Sequence, residues 1–225
     1  MSSVLTTASA ADIETTTTPE PRPSSRGEPV WELAELYYPR QGQWTEEEYL
    51  ALGSNRLIEF SDGVLEFLTM PRLTHARVSR FISDMLRAHV EPQRLGETLW
   101  APVSVRLREG KLREPDVLFL RNGRPTTRDV PDGADLVVEV VSHDPKDIEC
   151  DYEQKRLEYA EAGIPEYWIV DPQTGTITVL TLPAGATEYA VHGEFRPGQQ
   201  ATSVLLPGFA VDVAACFAAG RGEQR

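Results

Sequence analysis

The sequence predicts an α/β domain, with a mixed central β-sheet flanked by α-helices. Two short runs, 117–120 and 136–141, are β-branched and nearly all apolar, as strands covered on both faces are. One long segment, 74–90, repeats apolar residues at three- and four-residue steps, as a helix lying on a sheet does. Along the chain the order is helix, hairpin, helix, several strands, helix, then more strands, which calls for helices packed on a mixed sheet.

Each element has its own signal. Residues 1–27 are Thr, Ser, Pro and Ala with almost no large apolar side chain, so they read as a disordered tail ahead of a domain spanning 28–220. A short helix is expected over 45–52, with Thr45 and Glu48 spaced as a capping box and Gly53 as the stop. Residues 56–60 and 64–68 flank Ser61-Asp62-Gly63, a hairpin signal. In the long helix Val78, Phe81, Ile82, Met85, Leu86 and His89 make the apolar face, and 99–107 reads as a strand. A further helix is expected over 147–162, ending at Gly163, then strands at 167–170 and 176–180 and a short helix from Asp212.

Bulk properties set limits on function. With 225 residues, 40% of them hydrophobic, the chain can bury one sizeable core. The formal charge is −13, from 22 basic and 35 acidic residues, so the broad basic surface that drives non-specific nucleic-acid binding is missing. Contact with nucleic acid must then be local or bridged by a metal. Cys150 and Cys216 stand far apart and outside any C-x-x-C spacing, which argues against a disulfide framework or a cysteine zinc site. No segment reaches the roughly 18 to 20 apolar residues that span a bilayer. The expectation is a soluble, cytoplasmic protein.

Three residues carry the chemistry. Glu139 interrupts Leu136-Val137-Val138-Glu139-Val140-Val141, where every neighbour asks for burial. An unpaired buried carboxylate costs several kcal/mol, so Glu139 either holds a cation in a site or pairs with an arginine at a strand end. Asp116 follows Pro115 at the start of the other apolar strand, where sheets present reactive groups, although an acid there also caps turns. Lys155 lies on a helical stripe with Ile148, Tyr152, Tyr159 and Ala162 that faces the sheet. Its ammonium either snorkels out along its stem or reaches the strand-end carboxylates. Two carboxylates and a lysine suit phosphodiester hydrolysis: oxygen ligands hold a divalent cation, and the lysine positions or deprotonates the attacking water. Asp151, one turn before Lys155, is spaced for an i,i+4 pair with it.

These residues fall within segments that resemble one family closely. Ile58 to Glu66, Met70-Pro71 with His75, Arg113-Glu114-Pro115-Asp116-Val117, Asp135 to Ser142, Asp151 to Lys155 with Tyr159, and Gly163 to Pro172 are similar to the Uma-two family, a branch of the PD-(D/E)XK nuclease superfamily. The resemblance covers nearly everything after the tail. It implies a restriction-endonuclease-like core in which Asp116 and Glu139 bind magnesium or manganese, Val140 adds its backbone carbonyl, and Lys155 is the catalytic lysine. Glu59 would correspond to an additional acidic residue of such nucleases, and His75 would face the same site from the start of the long helix. The sequence departs from the superfamily pattern at Val141, which stands where the motif lysine usually does, so the lysine has moved to the following helix.

The resemblance thus implies a metal-dependent endonuclease acting on DNA, with a homodimer suited to cutting two strands. Against it stand a nuclease-fold binding or regulatory module, favoured by the acidic surface, and a hydrolase of small phosphoesters using the same residues.

Overall fold

The computed structural model describes residues 38–52, 57–142 and 150–223. The expected tail and its boundary at 27/28 lie outside these residues, as do Ile148 and the start of the helix expected from 147. Backbone contacts group the chain into 1–40 and 41–225. Tyr38, Pro39 and Arg40 are the described part of the first unit, and all that follows concerns the second.

The hairpin forms where expected: β1 (Ile58–Ser61) and β2 (Val64–Phe67) pair around Asp62 and Gly63, both at positive φ. Before it, α1 (Glu46–Leu50) is capped by Thr45, whose side chain accepts from the Glu48 amide while Glu48 returns the bond. The long helix is α2 (Leu73–Val90), with Val78, Ile82, Leu86 and Val90 fully buried. Each such side chain contributes about 1.5–3 kcal/mol relative to exposure, so α2 is held firmly on the sheet.

Residues 99–107 do not form one strand. They divide into β3 (Gly96–Trp100) and β4 (Val105–Arg108), which belong to different sheets. The break falls around Pro102, which lacks the N–H a continuing ladder needs. A short β5 (Lys111–Arg113) follows, then β6 (Val117–Arg121), the two-residue β7 (Thr126–Thr127) and β8 (Val130–Pro131), and β9 (Leu136–Val140). A π-helical turn, Cys150–Gln154, leads directly into α3 (Lys155–Glu161), and Gly163 at φ +71° ends it. The chain finishes with β10 (Glu166–Asp171), β11 (Thr176–Thr181), β12 (Ala190–Phe195), β13 (Gln200–Thr202), β14 (Ala210–Asp212) and α4 (Val213–Arg221), whose N-cap is Asp212.

The result is the mixed α/β architecture expected. A six-stranded sheet runs β12-β11-β10-β9-β6-β3 and is antiparallel except between β9 and β10, which α3 joins. A four-stranded sheet, β2-β1-β5-β4, is antiparallel throughout. Both faces of the larger sheet are covered. On one, α2 and α4 pack over Val117, Phe119, Val138, Val140 and Trp168; on the other, Tyr159 and Ala160 of α3 pack over Leu118, Val137, Val141 and Tyr167. This double cover is why β6 and β9 read as unbroken apolar runs.

Candidate active site

Side chains alternate along a strand, so residues 137 and 139 of β9, and 141 just beyond its end, face α3. Glu139 thus points toward α3 and is 3% exposed. β6 pairs with β9 in the register Val117↔Val138, and one further step sets Asp116 across from Glu139. Both carboxylates line one cavity of about 110 Å³ together with His75, Val140, Lys155, Asp151 and Glu114.

Lys155, Glu139, Asp116 and His75 each have a defined partner in this cavity. Lys155 Nζ lies 3.0 Å from Glu139 Oε2 and 2.9 Å from Asp151 Oδ1, so the lysine points inward and does not snorkel. The Tyr159 hydroxyl donates to Glu139 Oε1 at 2.5 Å. Asp116 Oδ2 accepts from the Val140 amide at 2.7 Å and meets His75 Nε2 at 3.0 Å. Of the residues picked from sequence, Asp116, Glu139, Val140, Lys155 and His75 therefore come together.

Glu59 does not join them on the cavity wall. It is 1% exposed, with one oxygen on the Arg113 guanidinium and the other accepting from the Glu114 amide at 2.9 Å. Its direct role is to anchor the segment that carries Glu114 and Asp116. Arg113, also 1% exposed, further holds Glu66 at 2.7 Å and Glu158 at 2.8 and 3.0 Å, tying β1, β2, β5 and α3 into one polar cluster.

Sequence reasoning passed over Glu114 and Tyr159 as site residues. Glu114 stood inside the Arg113-Glu114-Pro115-Asp116 segment, yet nothing in an acid before a proline marks it. Its Oε2 is buried without a hydrogen-bond partner among the described residues. Tyr159 was visible as a member of the apolar stripe, but its hydroxyl's target depends on the α3–β9 packing.

The electrostatics follow from burial and from a surplus of carboxylates. Burial pushes Glu139 above the usual carboxylate range, against the pull of Lys155, and Asp116 and Asp151 add to the rise. For Lys155, burial opposes the charge, but Glu139 and Asp151 outweigh it and hold the ammonium protonated. Burial likewise opposes a charged His75, while Asp116 beside it raises the imidazole above its ordinary value. Burial and the charge on Glu59 push Glu114 up to about 7, with Ser104 pulling the other way.

The donor chemistry suits a hard divalent cation. No group of three or more His, Cys, Asp or Glu among the described residues is arranged to hold a metal ion by itself. Magnesium needs fewer protein ligands, because it keeps several waters and takes one or two carboxylates plus the substrate's own oxygens. Asp116 and Glu139 supply two carboxylates on one wall, and Glu114, whose Oε2 has no hydrogen-bond partner among the described residues, lines the same cavity. The residues therefore fit such an ion.

A family model described as "Putative restriction endonuclease", Uma2, matches residues 35–214. Among solved structures, the chain is similar to a protein titled a "putative nuclease belonging to DUF820" from Anabaena variabilis ATCC 29413. The two share 16% sequence identity with a TM-score of 0.63, over 79% of this chain and 99% of that one, a likeness of fold. No functionally curated protein matches the chain. Among the described residues, no helix is long and apolar enough to cross a membrane.

Proposed function

Since the chain belongs to the Uma2 family, we propose that it is a metal-dependent endonuclease that hydrolyses phosphodiester bonds in DNA. The observation that carries this reading is the buried Lys155–Glu139 pair, 3.0 Å long, opening on the cavity that Asp116 also lines. Asp116, Glu139 and the Val140 carbonyl would hold magnesium or manganese. Such an ion, when bound, polarises the scissile phosphate and lowers the pKa of a coordinated water.

The chain's own residues do the rest. Lys155 remains an ammonium, so it acts by charge: it orients a water or phosphate oxygen and offsets negative charge building up in the transition state. Asp151 and Tyr159 fix it and Glu139 in one geometry, which preorganises the site. His75 holds Asp116 from the α2 side through its Nε2. Glu59 contributes by positioning, through its grip on the Glu114 amide. Cutting both strands of a duplex with one site per chain calls for two copies, which sedimentation in the presence of DNA checks.

A second reading, a nuclease-fold module that binds without cutting, draws on one observation: both oxygens of Glu139 are already engaged by Lys155 and Tyr159. The test is incubation of purified protein with supercoiled, linear and single-stranded DNA, with manganese or with chelator, beside Glu139→Ala. Cleavage by the wild type with manganese alone, lost in the variant, supports the nuclease. Intact DNA in every lane with manganese rejects it in favour of the binding module.

A further inference from the structure

A second cavity, of about 430 Å³, runs along the exposed side of α2 and adjoins the candidate active site, since His75 and Asp116 line both. Its floor and rim are built from unlike chemistry. Trp100, 54% exposed, lines it together with Arg80 and Arg87, whose side chains are 84% and 51% exposed. The indole stacks on no other ring among the described residues. The two arginines share Asp84 at 3.6 Å each, loose surface contacts that leave a net positive charge available to a phosphate.

Trp100 is not loosely placed. It ends β3, where its backbone pairs with Val117, and the amide of the next residue, Ala101, donates to the Asp116 carbonyl at 3.2 Å. The backbone that carries the indole is thereby held one residue pair from Asp116. An exposed aromatic side chain beside a candidate phosphodiesterase centre, with arginines lining the same groove, is how proteins bind an unstacked nucleotide strand. A paired duplex covers both faces of each internal base, so only an unpaired, terminal or flipped-out base can stack on this indole.

We propose that the α2 groove is a subsite for unpaired DNA: one base stacks on Trp100, and Arg80 and Arg87 bind flanking phosphates. The proposal rests on the nuclease reading for the identity of the strand and narrows that reading to DNA with unpaired nucleotides next to the cut. It would also let a chain of net charge −13 bind a strand, because stacking and two local arginines replace a broad basic face.

The test is fluorescence anisotropy of labelled oligothymidylate and of a blunt duplex of equal length, with full-length protein and chelator so that nothing is cut. The single strand should bind more tightly than the duplex. Trp100→Ala should weaken single-strand binding by about tenfold and abolish the preference, while Trp100→Phe retains most of it. Arg80→Ala and Arg87→Ala should each reduce the slope of log K against log salt by about 0.7. Melting curves of all variants should match the wild type, because the side chains are exposed. Equal binding of strand and duplex, no binding of the strand, or full strand binding by Trp100→Ala overturns the subsite. Cleavage is scored separately: wild type that cuts DNA while Trp100→Ala binds normally removes the subsite alone. Wild type that grips the strand through Trp100 yet cuts nothing removes the nuclease and leaves the subsite.

Discussion

Lys155 faces two carboxylates, Glu139 and Asp151, and this inequality decides how the buried site responds to substitution. Taking away Glu139 leaves the ammonium still paired with Asp151. Taking away Lys155 strands two buried acids, and breaking a buried pair from one side costs on the order of 3–5 kcal/mol. Lys155→Met should therefore lower stability by that amount, Glu139→Gln by clearly less, and the double variant should recover part of the loss of Lys155→Met. Urea denaturation of the three variants checks the ranking, and equal losses for the two single variants would contradict the pairing. The same inequality explains what the sequence made legible. A carboxylate inside an apolar strand is conspicuous because its burial demands a partner, and the helical stripe around Lys155 pointed toward that partner. Glu114 and the Tyr159 hydroxyl stayed hidden: their importance lies in one unpartnered oxygen and one bond across packed elements, neither of which leaves a periodic trace. Glu59 carried the opposite difficulty, since an acid in a strand looks the same whether it faces a cavity or an arginine.

At the level of elements, strands with apolar alternation or burial on both faces were readable, whereas those stabilised by charge were not. β5 is Lys-Leu-Arg, and its two cations are buried only because Lys111 meets Ser61 and Glu158 and Arg113 meets three glutamates. β12 lies at the sheet edge with most residues exposed, so its pattern carries no face. The Arg113 cluster has a measurable consequence. Burial opposes the charge on Glu158, but Arg113 and Lys111 outweigh it and hold the group down to about 2. Because the folded value lies below the ordinary one, the unfolded chain takes up the proton first. The stability that Glu158 supplies is complete above about 4.5 and drains away as the pH falls toward 2. Glu158→Gln should flatten that part of the acid unfolding curve, and an unchanged curve would show that the cluster contributes nothing. A second element-level test concerns Gly96, where an added Cβ would sit 1.9 Å from the Leu120 carbonyl oxygen. Gly96→Ala must push β3 off β6, at a cost of about 1–3 kcal/mol. As β3 also carries Trp100 and the Ala101 bond to Asp116, DNA cleavage should fall together with the denaturation midpoint.

For the whole molecule, the candidate site concentrates like charge where the fold can least screen it, in a chain that is already acidic overall. Asp116, Glu139, Asp151 and Glu114 share one small cavity with only Lys155 and His75 as basic groups, so a bound divalent cation would relieve the remaining repulsion among the acids. A divalent ion that binds the folded chain and not the unfolded one must then stabilise the entire cooperative unit by mass action. At a hundredfold excess over its dissociation constant the gain is about 2.7 kcal/mol. For a chain of this length that corresponds to a rise in Tm of roughly 5–10 °C. Manganese or magnesium should produce such a rise in the wild type, chelator should reverse it, and Asp116→Asn should abolish it while sodium at matched ionic strength does nothing. The measurement needs no substrate, so it separates two ways in which the chain can be inactive. A protein that gains stability from the ion but leaves DNA intact has a working metal site and the wrong substrate. One that gains nothing lacks the site itself, and the Lys155–Glu139 pair is then a structural ion pair within a nuclease-like fold.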